Sequence, residues 1–569
     1  MRWFGGHSGS GNRPVPVEAR LIWPRPAIWG CDVWPKRHIQ IATSLDESEA
    51  IVVIGPCSAT SQELAALVGH NVRDRVIAEW AGAYTIIRAR PDQVTIWTDP
   101  AGACPIYTVR SEDGALMWGS SSRALASLIR AEVDETWLAA FLAHPYAATA
   151  GCAFTGVTLL PPGTRLVLAD GQVKELTQVW TPTPRRWSEA VDQLRSTLTA
   201  SVQIRMTGIV AADLSGGMDS TTLAVLAARH RAVNAVTAHP AEVTAGGDLD
   251  HARVAAAAHP TMRHILLPLT ADHLPYCGLG TLPPTDEPAP STVTWAMLSA
   301  QLELLADIGV TCHLTGDGGD TLFLPPPIYL ADLARRGRWL RLAAHAQGWA
   351  RLRRTSPWPL IAQAVRGQSP STAAAAAPRW LTAHAARLSS ASRTDVAMPE
   401  LRDHADRDLI ARTRFTARTA HTENQLADAF GIAMHNPYLD ARLLDITLGV
   451  HGWLRGSPHR YKPLLTAATV ALLPETVRSR AAKGTFVGDH HEGLRRNLHH
   501  VLDLADGRLA GRGLITLDTL RSEIQAAAAG RNIHWGHLQR VLAAEVWLRS
   551  LESASPIDWA MPTTEVSVA

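Results

Sequence analysis

The sequence predicts an α/β protein in two parts. Residues 1–180 read as a strand-rich α+β unit, and residues 181–569 as a doubly wound parallel sheet with helical additions. Three observations carry this. Short apolar or alternating runs punctuated by Pro, Gly and Asp fill the first part. From about residue 205, fully apolar strands alternate with Ala/Leu-rich helices. Beyond residue 330 the chain reads as mostly helical.

Taken in order, residues 51–55, 84–89, 93–99 and 164–171 are strands of an antiparallel layer. Residues 208–214 form an apolar strand ending at a Gly-Gly turn, and 220–230 continue as a helix. Strands at 234–239, 264–269 and 310–315 alternate with helices at 248–259 and 293–308. Apolar strands joined by helices mean a parallel sheet covered on both faces, which takes its ligands outside the carboxyl ends of its strands. The Pro- and Ala-rich stretch 355–380 reads as a surface excursion.

Composition narrows the function classes. The 569 residues carry 54 basic and 52 acidic side chains, a net charge of +2, which offers no whole-chain argument for nucleic acid or an anionic membrane. No apolar run approaches the ~20 residues that span a bilayer, and the start lacks an apolar signal region. Six scattered cysteines form no CxxC pair, and a reduced, cytoplasmic enzyme is the expectation. Only four basic residues are lysine: Lys36, Lys174, Lys462 and Lys483. Arginine replaces lysine at most solvated sites, so a retained lysine points to a place needing a compact charge.

The strongest local signal is Leu214-Ser215-Gly216-Gly217-Met218-Asp219-Ser220, between the first parallel strand and its helix. Glycines let backbone approach an anion, and the helix start adds free N–H groups and a positive dipole end. Asp219 cannot itself favour phosphate, so a carboxylate in this cradle implies a divalent cation. The Gly-Lys-Ser/Thr end of a Walker loop is absent.

Ser215–Ser220 resembles the pyrophosphate-binding loop of the ATP pyrophosphatases, and Gly316-Asp317-Gly318-Gly319-Asp320 resembles the matching loop of the asparagine synthetase superfamily. The resemblance implies ATP on Leu214, Ser215, Gly216, Gly217, Asp219, Ser220 and Gly316, with Mg2+ held by Asp219 and Asp320. Downstream, Asn436–Asp440, Arg460–Leu465 and Arg480–Phe486 resemble further superfamily segments. These put Lys462 and Lys483 where the family's lysines neutralise phosphate and the reacting carbonyl. Residues 79–84, 99–107 and 119–122 resemble class II glutamine amidotransferase domains, and 156–163 the passage into the synthetase half. That family's nucleophile is an amino-terminal cysteine, whereas position 2 is Arg2 and the first cysteine is Cys31. A degenerate amidotransferase-like domain is therefore expected, unable to draw ammonia from glutamine.

Superfamily members without that cysteine include β-lactam synthetases and lasso-peptide macrolactam synthetases. The chain looks like the latter: Asp317 stands where β-lactam synthetases carry a catalytic tyrosine, and Ala433 where the others carry an acid. The resemblance implies adenylation of an Asp or Glu side chain of a core peptide, then attack by its N-terminal amine, with release of AMP and pyrophosphate. It also implies a leader-peptide recognition protein and a leader protease as partners, with no nucleic acid or membrane. Lys483, Asp317 and Lys462 are the candidate catalytic residues, and Asp317, Glu423 and His435 the candidates for general base. A small-molecule amide or β-lactam synthetase, or a non-catalytic scaffold, are the other readings. The Asp489-His490-His491-Glu492 run lacks metal-protease spacing.

Overall fold

The computed structural model describes residues 1–8, 13–112, 114–367, 377–391, 399, 401, 403–478 and 487–561. Two six-stranded sheets, antiparallel in every pairing, build the amino-terminal part. All four strand expectations fall within them, at Ala50–Ile54, Thr85–Arg90, Gln93–Trp97 and Thr164–Ala169. Alternation along these strands sends side chains to opposite faces. Phe4, Ile28 and Trp118 of one sheet meet Val52, Ile87, Ile96 and Leu166 of the other in a closed core. On the reverse face of the second sheet, Ile51, Val53, Ile86 and Trp97 belong to one extended core that also takes in the Trp187–Gln203 helix. That helix buries Val191, Leu194, Leu198 and Val202 in the same core as strand residues Val210 and Ala212.

The carboxy-terminal sheet is parallel throughout, in the order Met262–Leu269, Val233–Pro240, Val210–Asp213, Cys312–Leu314, Ala433–His435. The sequence predicts the first four. The fifth strand, three residues long, is too short for any periodic signal and exists through its pairing with Cys312–Leu314. The chain reverses order on either side of Val210–Asp213, which makes that strand's carboxyl end the place for a ligand. Pro357 and Pro359, expected in an excursion, instead open a helix at Pro357–Val365. Pro357 needs no amide partner in the first turn, and Ser356 accepts from the Trp358 amide. Among the described residues no helix is long and apolar enough to cross a membrane.

The His404–Asp428 helix ties the two parts together. Arg414 donates to the Pro162 carbonyl at 3.0 Å, and Arg418 pairs with Glu287 while lying over the Tyr107 ring. Asp286, wholly buried, accepts from Ser121 Oγ at 2.7 Å and from Gln425 Nε2 at 2.7 Å, joining both halves at one carboxylate. A second buried knot pairs Arg205 with Asp440, and Arg205 Nη1 also donates to Ser201 Oγ at 2.8 Å. Truncating one partner leaves the other charge buried and unanswered. Asp440→Ala is therefore expected to lower unfolding free energy by about 3–5 kcal/mol, read as a shift in the denaturant midpoint.

Candidate active site

The Val210–Asp213 strand leads into Leu214–Gly217, and the Met218–His230 helix follows at once. Gly216 has φ of +71°, and a β-carbon there would lie 2.3 Å from the Asp248 carbonyl oxygen, so both conformation and space require glycine. Gly217 is the helix N-cap and brings no side-chain acceptor, which leaves the first-turn amides for an anion. Ser215 and Ser220 hydroxyls stand 2.8 Å apart, and Ser220 Oγ accepts from the Ser215 amide at 3.1 Å.

The second loop leaves the adjacent Cys312–Leu314 strand and is pressed onto the first. A β-carbon on Gly316 would lie 3.0 Å from the Ser220 amide nitrogen, and one on Gly319 2.4 Å from Asp219 Cγ. This approach brings Asp219 and Asp320 together on one cation, the ammonium of Lys462. Its Nζ bonds Asp219 Oδ2 and lies 2.6 Å from Asp320 Oδ1. Lys462 is only 1% exposed. Burial works to discharge it, but Asp219 and then Asp320 outweigh burial and hold its pKa above the ordinary lysine value. Since the two carboxylates already share one positive charge, the pair suits a hard cation whose remaining shell is phosphate oxygen and water. Tyr438 donates to the Asp219 carbonyl at 3.0 Å and fixes the start of the helix from below.

A cavity of about 490 Å³ opens over these groups. Ser215, Gly217, Asp219, Ser220, Gly316, Asp317 and Asp320 all reach it. Its far wall is the His404–Asp428 helix, whose Thr416, Thr419, Ala420 and Glu423 follow one helical face. Asp317 is oriented by Thr315, whose hydroxyl donates to it at 2.7 Å, and Asn436 donates to that hydroxyl at 2.8 Å. Burial, then the nearby Asp317 charge, pushes the Glu423 pKa up to about 8. Glu423 is thus largely protonated at neutral pH and close to the range useful for proton transfer.

Other sequence candidates fall elsewhere. Leu214 is wholly buried, its carbonyl accepting from Thr237 Oγ1 at 2.6 Å; it shapes the loop from the core. Gly216 packs behind the loop against Asp248 and His251. His435 faces away from the cavity, its ring 5.5 Å from that of His38, and burial depresses its pKa well below the usual value. Lys483 and the rest of the Arg480–Phe486 segment lie outside the described residues. His490 and His491 bond Tyr276 and the Ala527 carbonyl, and among the described residues no three metal-ligating side chains converge. Sequence reasoning overlooked Asp213, which lines the cavity and is held by Gln301 at 2.8 Å and His313 at 3.0 Å. Its signal was a carboxylate closing an apolar strand at the ligand end.

The amino-terminal half holds no activated thiol among the groups whose titration is shifted. Burial pushes Cys31 and Cys57 up to about 12, Cys152 up to about 11, and Cys104 higher still. Arg2 is committed to the synthetase half: its amide donates to Asp428 Oδ2 at 3.0 Å and its Nε to Oδ1 at 2.9 Å.

Comparison with known proteins agrees with this two-part reading. The family model described as glutamine amidotransferase domain matches residues 62–181, and asparagine synthase matches residues 193–549. No curated protein matches. Among solved structures, "Structure of the allosteric regulatory enzyme of purine biosynthesis" is 9% identical. The match covers 47% of this chain and 74% of that one, with a TM-score of 0.21. The glutamine phosphoribosylpyrophosphate amidotransferase from B. subtilis, complexed with ADP and GMP, is 10% identical, with 57% and 82% covered and a TM-score of 0.22. With more than half its length on the synthase model and the loop geometry intact, the chain belongs to the asparagine synthase family and is an ATP-dependent, AMP-forming ligase that makes amide bonds.

Proposed function

We propose that the protein closes a macrolactam in a lasso peptide, joining the N-terminal amine of a core peptide to an Asp or Glu side chain of the same molecule. The observation that carries this reading is a phosphate site joined to an amidotransferase-like half whose shifted cysteines are all pushed up in pKa rather than activated. The attacking nitrogen then has to come with the substrate. The superfamily resemblance and Asp317 at the tyrosine position favour a peptide over a β-lactam precursor.

In the first half-reaction a substrate carboxylate oxygen bonds the α-phosphorus of ATP on Ser215–Ser220, and the bond to pyrophosphate breaks. Asp219 and Asp320 would hold a magnesium ion, which when bound neutralises phosphate charge. Lys462, anchored by both carboxylates, orients them and adds its own positive field beneath the phosphates. In the second half-reaction the peptide amine attacks the acyl carbon, AMP leaves, and Glu423 as carboxylate takes the amine's proton while Asp317 sets its basicity. Holding both ends of one chain together supplies the rate advantage of an intramolecular attack. A leader-recognition protein and a leader protease are the partners such a substrate calls for.

The test is incubation with ATP, magnesium and linear core peptides that carry a free N-terminal amine and an internal Asp or Glu. A product one water lighter than the linear peptide is expected, with AMP and pyrophosphate released in equal amounts. Exchanging the acceptor Asp or Glu for its amide should stop it, and glutamine should be neither hydrolysed nor stimulatory. Glutamine-dependent amidation of a free amino acid, with no peptide dependence, would refute the proposal.

A further inference from the structure

The near-neutral charge of the whole chain hides one strongly polarised segment. Residues 335–366 carry eight arginines and no Asp or Glu. They fold as a helical hairpin, Trp339–Arg353 and Pro357–Val365. Its inner side packs Leu342, Ala346, Ala350, Leu360 and Ala364 against Tyr329, Leu330 and Leu333. Its outer side is not what a solvated helix presents. Pro357–Val365 has no charged residue at all, and Trp358, Ala362 and Val365, spaced by four and three, stand exposed on its outer face. Trp358 is 73% exposed and Val365 57%, with Leu340 at 90% on the first helix. A surface helix that is apolar on both faces is one that something covers.

We propose that this hairpin seats the protein on an anionic lipid surface. Arg341, Arg351, Arg354 and Arg366, on the same hairpin and its ends, are all exposed. Arg335 and Arg336 are instead spent on Asp403, which ties the segment to the body, and Arg353 lies over the Trp349 ring of its own helix. Exposed tryptophan and aliphatic side chains on a segment whose only charges are arginine are the composition that sinks into a headgroup layer while its cations meet lipid phosphates. A bilayer is favoured over an acidic protein because the segment combines exposed Trp358, Val365 and Leu340 with arginine and no acid, and an apolar face beside cations is what an interfacial helix presents.

The experiment is vesicle co-sedimentation of the full chain, independent of any catalytic readout. Phosphatidylcholine vesicles containing phosphatidylglycerol should pellet the protein, pure phosphatidylcholine should not, and added salt should release it. Arg351→Glu/Arg354→Glu/Arg366→Glu should weaken binding by about 10²-fold, on the scale of roughly fivefold per lost charge. Trp358→Ser should weaken it at unchanged charge, and both variants should melt with the wild type. Failure to pellet with phosphatidylglycerol, or equal pelleting by the triple variant, overturns the proposal. Retention on immobilised polyglutamate without vesicle binding would assign the face to an acidic protein segment instead, and overturns it equally.

Discussion

Asp219→Asn is expected to cut AMP release by about 10²–10³-fold while the chain melts within a few degrees of the wild type. Asparagine has the same shape, so the close approach of Gly319 to this side chain is preserved. What is lost is one of two negative charges facing the cation, and with it the stronger of the two interactions that keep Lys462 charged against burial. Asp320→Asn should be damaging in the same direction and gentler on Lys462, because its side chain is far more exposed than that of Asp219 and its field is better screened. The measurement is ATP–pyrophosphate exchange beside thermal melting with and without ATP. Near-normal exchange by either variant would remove that carboxylate from the phosphate site.

The parts of the site carried by local chemistry were legible in the sequence. Gly216 is demanded by its own backbone angle, the apolar strands announce a parallel sheet, and a carboxylate beside a phosphate loop announces a cation. The parts made by tertiary contact were not. Scarcity of lysine marked Lys462, but its burial between Asp219 and Asp320 depends on residues far apart in the chain. The Ala433–His435 strand has no signal of its own, since three residues cannot display a period. Pro357 and Pro359 read as breakers because their helix begins at them, where a proline's missing N–H costs nothing. Among the candidate bases Asp317, Glu423 and His435, only packing separates the one turned toward His38 from the two that line the cavity.

That packing leads to the sharpest kinetic expectation, on Glu423. Its pKa is raised to about 8, chiefly by burial and next by the Asp317 charge. The basic form is therefore scarce at pH 6 and grows as pH rises through the folded value, so single-turnover macrolactam formation should climb through about pH 8. Glu423→Gln should lower that rate by about 10²–10⁴-fold and erase the rise, yet leave ATP–pyrophosphate exchange intact, because the proton is lost only when the amine attacks. Asp317→Asn removes the charge that helps keep Glu423 protonated, so the rise should move to lower pH. The peptide's own amine ionises at about 7.7–8.0, which makes the glutamine variant decisive. A pH profile unchanged in shape in Glu423→Gln would assign the rise to the substrate, and an unchanged rate would leave Glu423 as a wall residue with no part in proton transfer.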